Sequence, residues 1–169
     1  MQILKYTLLL IIFSLSTIIG ITISKMYENR VKELREFKSI LNIIKTKIKF
    51  TYEPLAEIFK QIAKDSSTNI EKIFGKMVNQ IQYRQVRETW ENCIQEADIS
   101  IKQEDKDIIK KLGQLLGQTD VEGQVSEIEV TQNFLDMQIT KAEEEKNKNQ
   151  KMYKTLGIVI GLVFVIILL

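Results

Sequence analysis

The residues of this sequence that could do chemistry are few, and glycine spacing is their most conspicuous pattern. "LGQLLGQTD" at 112–120 places Gly113 and Gly117 four residues apart beside a threonine and an aspartate. Glycines beside a helix can let backbone amides cradle phosphate, but a Walker A loop needs G-x-x-x-x-G-K-[ST] after a strand. Here the gap is three residues and Gln118 stands where the lysine should be. The acidic residues Glu104, Asp105 and Asp107, and the run Glu143–Glu145, have the types for metal binding or acid–base work. On helices with lysines nearby they read as solvated faces and i,i+4 partners. Histidine is absent, which removes the commonest general base and zinc ligand. One cysteine, Cys93, allows no intramolecular disulfide and no cysteine metal cage, and reads as a small buried side chain. These absences predict a protein that is not an enzyme, with no cofactor and no metal.

The elements that position these residues are legible from breakers and periodicity. The 169 residues include one proline and seven glycines, a composition that favours helix. From Tyr27, apolar residues recur at Leu34, Phe37, Leu41, Ile44 and Ile48 in helical steps. Pro54 is placed to open a new helix running to about Lys64. "DSSTN" at 65–69 reads as a turn rich in capping residues. Further helices carry Ile70, Ile73, Phe74, Met77, Val78 and Ile81; then Val86, Trp90, Cys93, Ile94 and Ala97; then, from about Gln103, Ile108, Ile109, Leu112, Leu115 and Leu116. Gly113 is expected as a close-packing point, Gly117 as a helix C-cap, and Asp120 or Thr119 as the N-cap of the next helix. That helix should run unbroken from about Val121 to Leu169. Its seam of Val121, Val125, Ile128, Gln132, Leu135, Ile139 and Ala142 alternates steps of four and three.

Both ends of the chain read as membrane segments. Tyr6 to Ile23 carries no charge and, as a helix, is about 27 Å long. The first alanine is Ala56, so a small-residue cleavage site is missing and an uncleaved signal anchor is expected. "TLGIVIGLVFVIILL" at 155–169 is shorter, about 22 Å, and reaches a span with Met152 and Tyr153 while Lys151 and Lys154 snorkel. Within it Gly157 and Gly161 form a small-xxx-small pair, which lets membrane helices approach closely. The expected organisation is a membrane anchor over 1–24, a cytoplasmic helical bundle over 25–151, and a second span over 152–169. Lys25, Arg30, Lys32, Arg35 and Lys38 follow the first span, and Lys141, Lys146, Lys148, Lys151 and Lys154 precede the second. The positive-inside rule then places the middle region in the cytoplasm. The fold class is all-α: an antiparallel bundle of five to six helices flanked by two transmembrane helices.

Charge suggests how the first and last helices meet. Residues 25–50 hold eight basic and three acidic side chains, and residues 121–140 hold four acidic and no basic ones. Exposed pairs contribute about 0–1 kcal/mol each, so this contrast bears on register more than on stability. Basic residues beside a membrane face anionic lipid, and no motif for nucleic-acid recognition accompanies them.

The N-terminal span, "YEPLAEIFKQIAK" at 52–64, "LGQLLGQTD" at 112–120 and the long helix ending "QKMYKTLGIVIGLVFVIILL" occur here in one order and spacing. Together they resemble the stage III sporulation protein AB family of endospore-forming bacteria, over the whole chain. The lysine-, isoleucine- and asparagine-rich composition departs in surface detail only. The resemblance implies a membrane platform subunit of a secretion-like complex between mother cell and forespore, in the outer forespore membrane. It implies a bundle similar to the inner-membrane platform protein of type II secretion, and a secretion-type ATPase and other complex components as partners. An oligomer in the membrane is a further expectation. It carries over no catalytic residues. The other reading is a structural membrane adaptor that tethers proteins through its bundle without ATPase contact.

Overall fold

The computed structural model describes residues 2–64, 67–81, 83 and 85–168. Six helices account for its regular structure: α1 (Gln2–Thr51), α2 (Leu55–Ile62), α3 (Asn69–Ile81), α4 (Val86–Gln95), α5 (Gln103–Leu112) and α6 (Val121–Leu168). No strand occurs among the described residues. The expected run of α6 from Val121 is observed, and the first apolar segment continues without a break into the amphipathic part of α1. Asp65 and Ser66 of the expected capping turn, and the end residues Met1 and Leu169, lie outside the described residues.

The chain divides into two compact units, Lys32–Thr140 and the pair of segments Met1–Val31 and Lys141–Leu169. The Lys32–Thr140 unit is built around an aromatic cluster. Phe37 of α1, Phe59 of α2, Phe74 of α3 and Trp90 of α4 are all fully buried. Their ring centroids lie 5.3–6.2 Å apart, mostly edge-on or tilted. Burying one such ring contributes about 1.5–3 kcal/mol, so this cluster joins four helices by area as well as by geometry. The Trp90 indole N–H donates to the Ile109 carbonyl of α5 at 2.8 Å, which satisfies the one polar atom of the ring.

Within the same unit α1 and α6 run antiparallel. Lys38 meets Asp136 at 2.5 Å and Lys45 meets Glu129 at 3.4 Å, so residue numbers fall on α6 as they rise on α1. Ile128, Gln132, Leu135 and Ile139 of the heptad seam are buried. The polar member, Gln132, donates its amide N–H to the Lys38 carbonyl at 3.3 Å.

The other unit consists of the two apolar helix segments and their charged flanks. Its two helices are long and apolar enough to cross a membrane. Leu4, Leu10, Ile18, Ile19, Ile166 and Ile167 are among the apolar side chains left more than half exposed, an unfavourable surface in water and a suitable one in lipid.

Candidate functional site

The motif residues of the middle region meet where α1 ends and α6 begins. Helix α1 stops at Thr51 because Tyr52 turns to φ +52°, a left-handed conformation that costs a non-glycine residue about 1–2 kcal/mol. Pro54 follows with φ −60° and ψ 142° and stands one residue before the helix, as the N-cap of α2. Its carbonyl accepts from the backbone N–H groups of Glu57 and Ile58. Glu53, between them, accepts from Lys47 at 3.2 Å and from Gln61 at 2.8 Å. The Lys47 ammonium is the main reason its carboxyl is held below the usual range.

At the other wall, helix α5 ends at Leu112 and residues 113–118 continue as tight turns. The regular helix is therefore shorter than the periodicity through Leu115 and Leu116 predicts, and Gly113 occupies its C-cap. Gly113 also lies on the Trp90 ring: a Cβ there would sit 2.5 Å from Cδ1. Gly117 adopts φ +74°, where glycine carries no steric penalty. Asp120 Oδ1 accepts from the Gly123 N–H at 2.9 Å, which caps α6. Gln124 closes the connection from inside α6. Its amide oxygen accepts from Gly117 N–H at 3.0 Å and its N–H donates to the Thr119 carbonyl at 2.9 Å.

These two connections enclose an open groove of about 650 Å³ lined mainly by Ile48, Tyr52, Pro54, Leu55, Gly117 and Val121. Phe50, Tyr52 and Tyr83 are each more than two-thirds exposed. The lining offers an apolar surface with a few polar groups and no set of residues arranged for bond making. Of the sequence-predicted residues, Pro54 and Gly117 lie on this groove, Asp120 sets the helix at its edge, and Gly113 belongs to the core behind it.

Gly157 and Gly161 belong to the membrane-segment unit. A Cβ on Gly157 would lie 2.8 Å from the Gly20 Cα and 2.9 Å from the Ser16 carbonyl oxygen; one on Gly161 would lie 2.9 Å from the Phe13 ring. The Ser16 hydroxyl donates to the Gly157 carbonyl at 2.7 Å. Nearer the charged flank, Tyr27 and Tyr153 stack at 5.8 Å, and the largely buried Arg30 pairs with Glu145 at 2.8 Å.

The carboxylates that could be imagined as catalytic have structural surroundings. Asp105 is buried and accepts from the Lys102 N–H at 2.8 Å, capping α5. Asp107 pairs with Lys110 at 2.8 Å, which with Gln103 holds its carboxyl below the usual range. No cluster that could hold a metal occurs among the described residues, and Cys93 is buried. Sequence reading misses Glu33. This α1 residue is buried and accepts from the Ser100 N–H at 2.6 Å. Burial, with Glu36 and Asp98 nearby, raises its carboxyl above the usual range. Its place on the helical face next to Leu34 and Phe37 was the available signal. Glu36 beside it accepts from the Thr68 hydroxyl.

Comparison with known proteins gives concordant matches. The family model for stage III sporulation protein AB matches residues 5–169. Stage III sporulation protein AB of Bacillus subtilis (strain 168) is 25% identical over 154 residues, covering 89% of this chain and 90% of that protein. A solved structure of stage III sporulation protein AB superposes with a TM-score of 0.66 at 21% identity, over 71% of this chain and 98% of the other, a likeness of fold. With its helical order, its two apolar helices and the motif residues between them, the chain belongs to the stage III sporulation protein AB family.

Proposed function

We propose that this sporulation-family protein is a non-enzymatic platform subunit of a secretion-like complex between mother cell and forespore. Residues 1–24 and 152–169 cross the outer forespore membrane, and residues 25–151 face the mother-cell cytoplasm, as the flanking lysines and arginines favour. The bundle docks a secretion-type ATPase, which supplies the nucleotide chemistry that this chain lacks. The supporting observation is the groove between the α1–α2 and α5–α6 connections. It is open and largely apolar, exposed Tyr52 lines it, and its walls hold residues of "YEPLAE" and Gly117 of "LGQLLGQTD", which carry the family resemblance. Aromatic side chains on a shaped apolar surface are the usual anchors of protein interfaces. The test is capture of the complex's ATPase by the full-length chain in nanodiscs. Binding that Ala56→Glu abolishes on the groove wall supports docking there. No capture, with unchanged ATP hydrolysis, leaves the adaptor reading, in which the bundle tethers other membrane proteins.

A further inference from the structure

The membrane-segment unit holds a second cleft, and its composition differs from that of the groove. It has a volume of about 340 Å³ and is lined by Ile21, Ser24, Lys25, Glu28, Gln150, Lys151 and Lys154. Its height is fixed by sequence: Ser24 is the last residue before charge begins on α1, and Thr155 is the first after charge ends on α6. On both helices it therefore sits where hydrocarbon gives way to headgroups. The stacked Tyr27 and Tyr153 occupy the same level, where aromatic side chains favour the interface.

The charge in the cleft is largely uncompensated. Three lysines line it against one carboxylate, Glu28, and that carboxylate accepts from the Gln150 amide at 3.2 Å. Among the described residues no ion pair engages Lys25, Lys151 or Lys154, although other basic residues of α1 are paired across to α6. Ser24 lines the same cleft with only 5% of its surface exposed. Three lysines and a serine lining one cleft supply the counter-charge and a hydrogen-bond donor that suit a phosphate oxyanion. Ile21, one turn deeper, gives an apolar wall on the hydrocarbon side.

We propose that this cleft binds the phosphate of an anionic phospholipid headgroup, with Lys25, Lys151 and Lys154 as counter-charges and Ser24 as a hydrogen-bond donor. Free phosphate shares the oxyanion chemistry, but the position of the cleft at the end of both apolar segments and the Ile21 wall select the lipid. The inference rests only on these segments lying in a bilayer and is independent of ATPase docking.

The experiment uses the full-length chain in uncharged detergent, titrated with phosphatidylglycerol, phosphatidylcholine or inorganic phosphate and read by native mass spectrometry. The wild type should bind phosphatidylglycerol saturably and in preference to phosphatidylcholine, with millimolar inorganic phosphate failing to displace it. The triple variant Lys25→Gln, Lys151→Gln, Lys154→Gln should bind it at least about tenfold more weakly, since each lysine near an anionic headgroup adds to the attraction. Lys146→Gln with Lys148→Gln, outside the cleft, should change affinity by less than about twofold. A triple Lys→Arg variant should retain binding, and the single Gln substitutions at Lys151 and Lys154 carry the test if the triple variant does not fold. Equal binding of phosphatidylcholine, retention of phosphatidylglycerol by the triple variant, or full displacement by inorganic phosphate would overturn the proposal.

Discussion

Gly20 and Gly157 face each other so closely that a Cβ built on Gly20 would lie 2.8 Å from the Gly157 Cα. No L side chain fits such an approach without separating the two helices, and the Ser16 hydroxyl bond to the Gly157 carbonyl depends on the same separation. In lipid, apolar side chains gain little by leaving hydrocarbon, so close backbone packing is a main source of helix association.

Gly157→Leu should therefore part the membrane segments. In a Cys93→Ser chain, spin labels at positions 10 and 165 should lose dipolar broadening in the Leu variant. Leu156→Ala, an exposed neighbour on α6, should leave the broadening unchanged. Equal broadening in wild type and Gly157→Leu would show that the glycine approach does not hold the pair.

Gly113→Ala puts a methyl group into the Trp90 ring at 2.5 Å. Overpacking of this kind costs about 1–3 kcal/mol. Trp90 is the single tryptophan, so its fluorescence reports the unfolding transition directly. The midpoint should fall, and the native emission should shift as the ring moves. Gly117→Ala should cost about 1 kcal/mol by strain at φ +74° and leave Trp90 emission unchanged. Asp120→Ala should cost about 1 kcal/mol by loss of the α6 cap.

Glu33 makes stability depend on pH with an unusual sign. Its folded-state carboxyl is raised above the ordinary value, chiefly by burial. The fold thus favours the protonated form, and its contribution is complete below the ordinary glutamate range and lost as pH rises through the raised value. Glu53, Glu71 and Asp107 are shifted down by their hydrogen bonds, so their contributions are lost only at lower pH. The melting temperature should pass through a maximum in weak acid, between these two ranges. Glu33→Gln should remove the fall between weak acid and neutrality and leave the acid limb in place. An unchanged profile in that variant would show that Glu33 is not its source.

Ion pairs between α1 and α6 should differ in weight. Lys38 and Asp136 are both more than one-third exposed, so a double-mutant cycle should give about 0.2–1 kcal/mol and fall with salt. Arg30 is 3% exposed against 26% for Glu145. Glu145→Gln should destabilise more than Asp136→Asn, because it removes a counter-charge 2.8 Å from a largely buried guanidinium.

Much of this architecture was legible in the sequence. The steps of three and four that mark Leu34, Phe37, Leu41 and Ile44 are the buried face of α1, and the opposed charges of residues 25–50 and 121–140 appear as the Lys38–Asp136 and Lys45–Glu129 pairs. What escaped depends on three-dimensional neighbours. Periodicity carried α5 through Leu116, but Gly113 is pressed on Trp90 and the chain tightens there. Gly20 is inconspicuous alone and gains meaning only opposite Gly157. Tyr52 has no propensity for φ +52°; the Glu53 contacts to Lys47 and Gln61 and the rigid Pro54 that follows set that turn from outside.

The central claim is that the groove beside Pro54 and Gly117 docks the ATPase of the sporulation complex. The most direct measurement is the ATP hydrolysis rate of that ATPase with nanodiscs holding the full-length chain, compared with nanodiscs holding Ala56→Glu. Ala56 lies on the groove wall and is exposed, and a glutamate in the first turn of α2 suits the helix dipole. The rate should change with the wild-type chain, and the change should disappear with Ala56→Glu while Trp90 fluorescence stays native. The same rate with empty nanodiscs, wild type and variant would contradict the account.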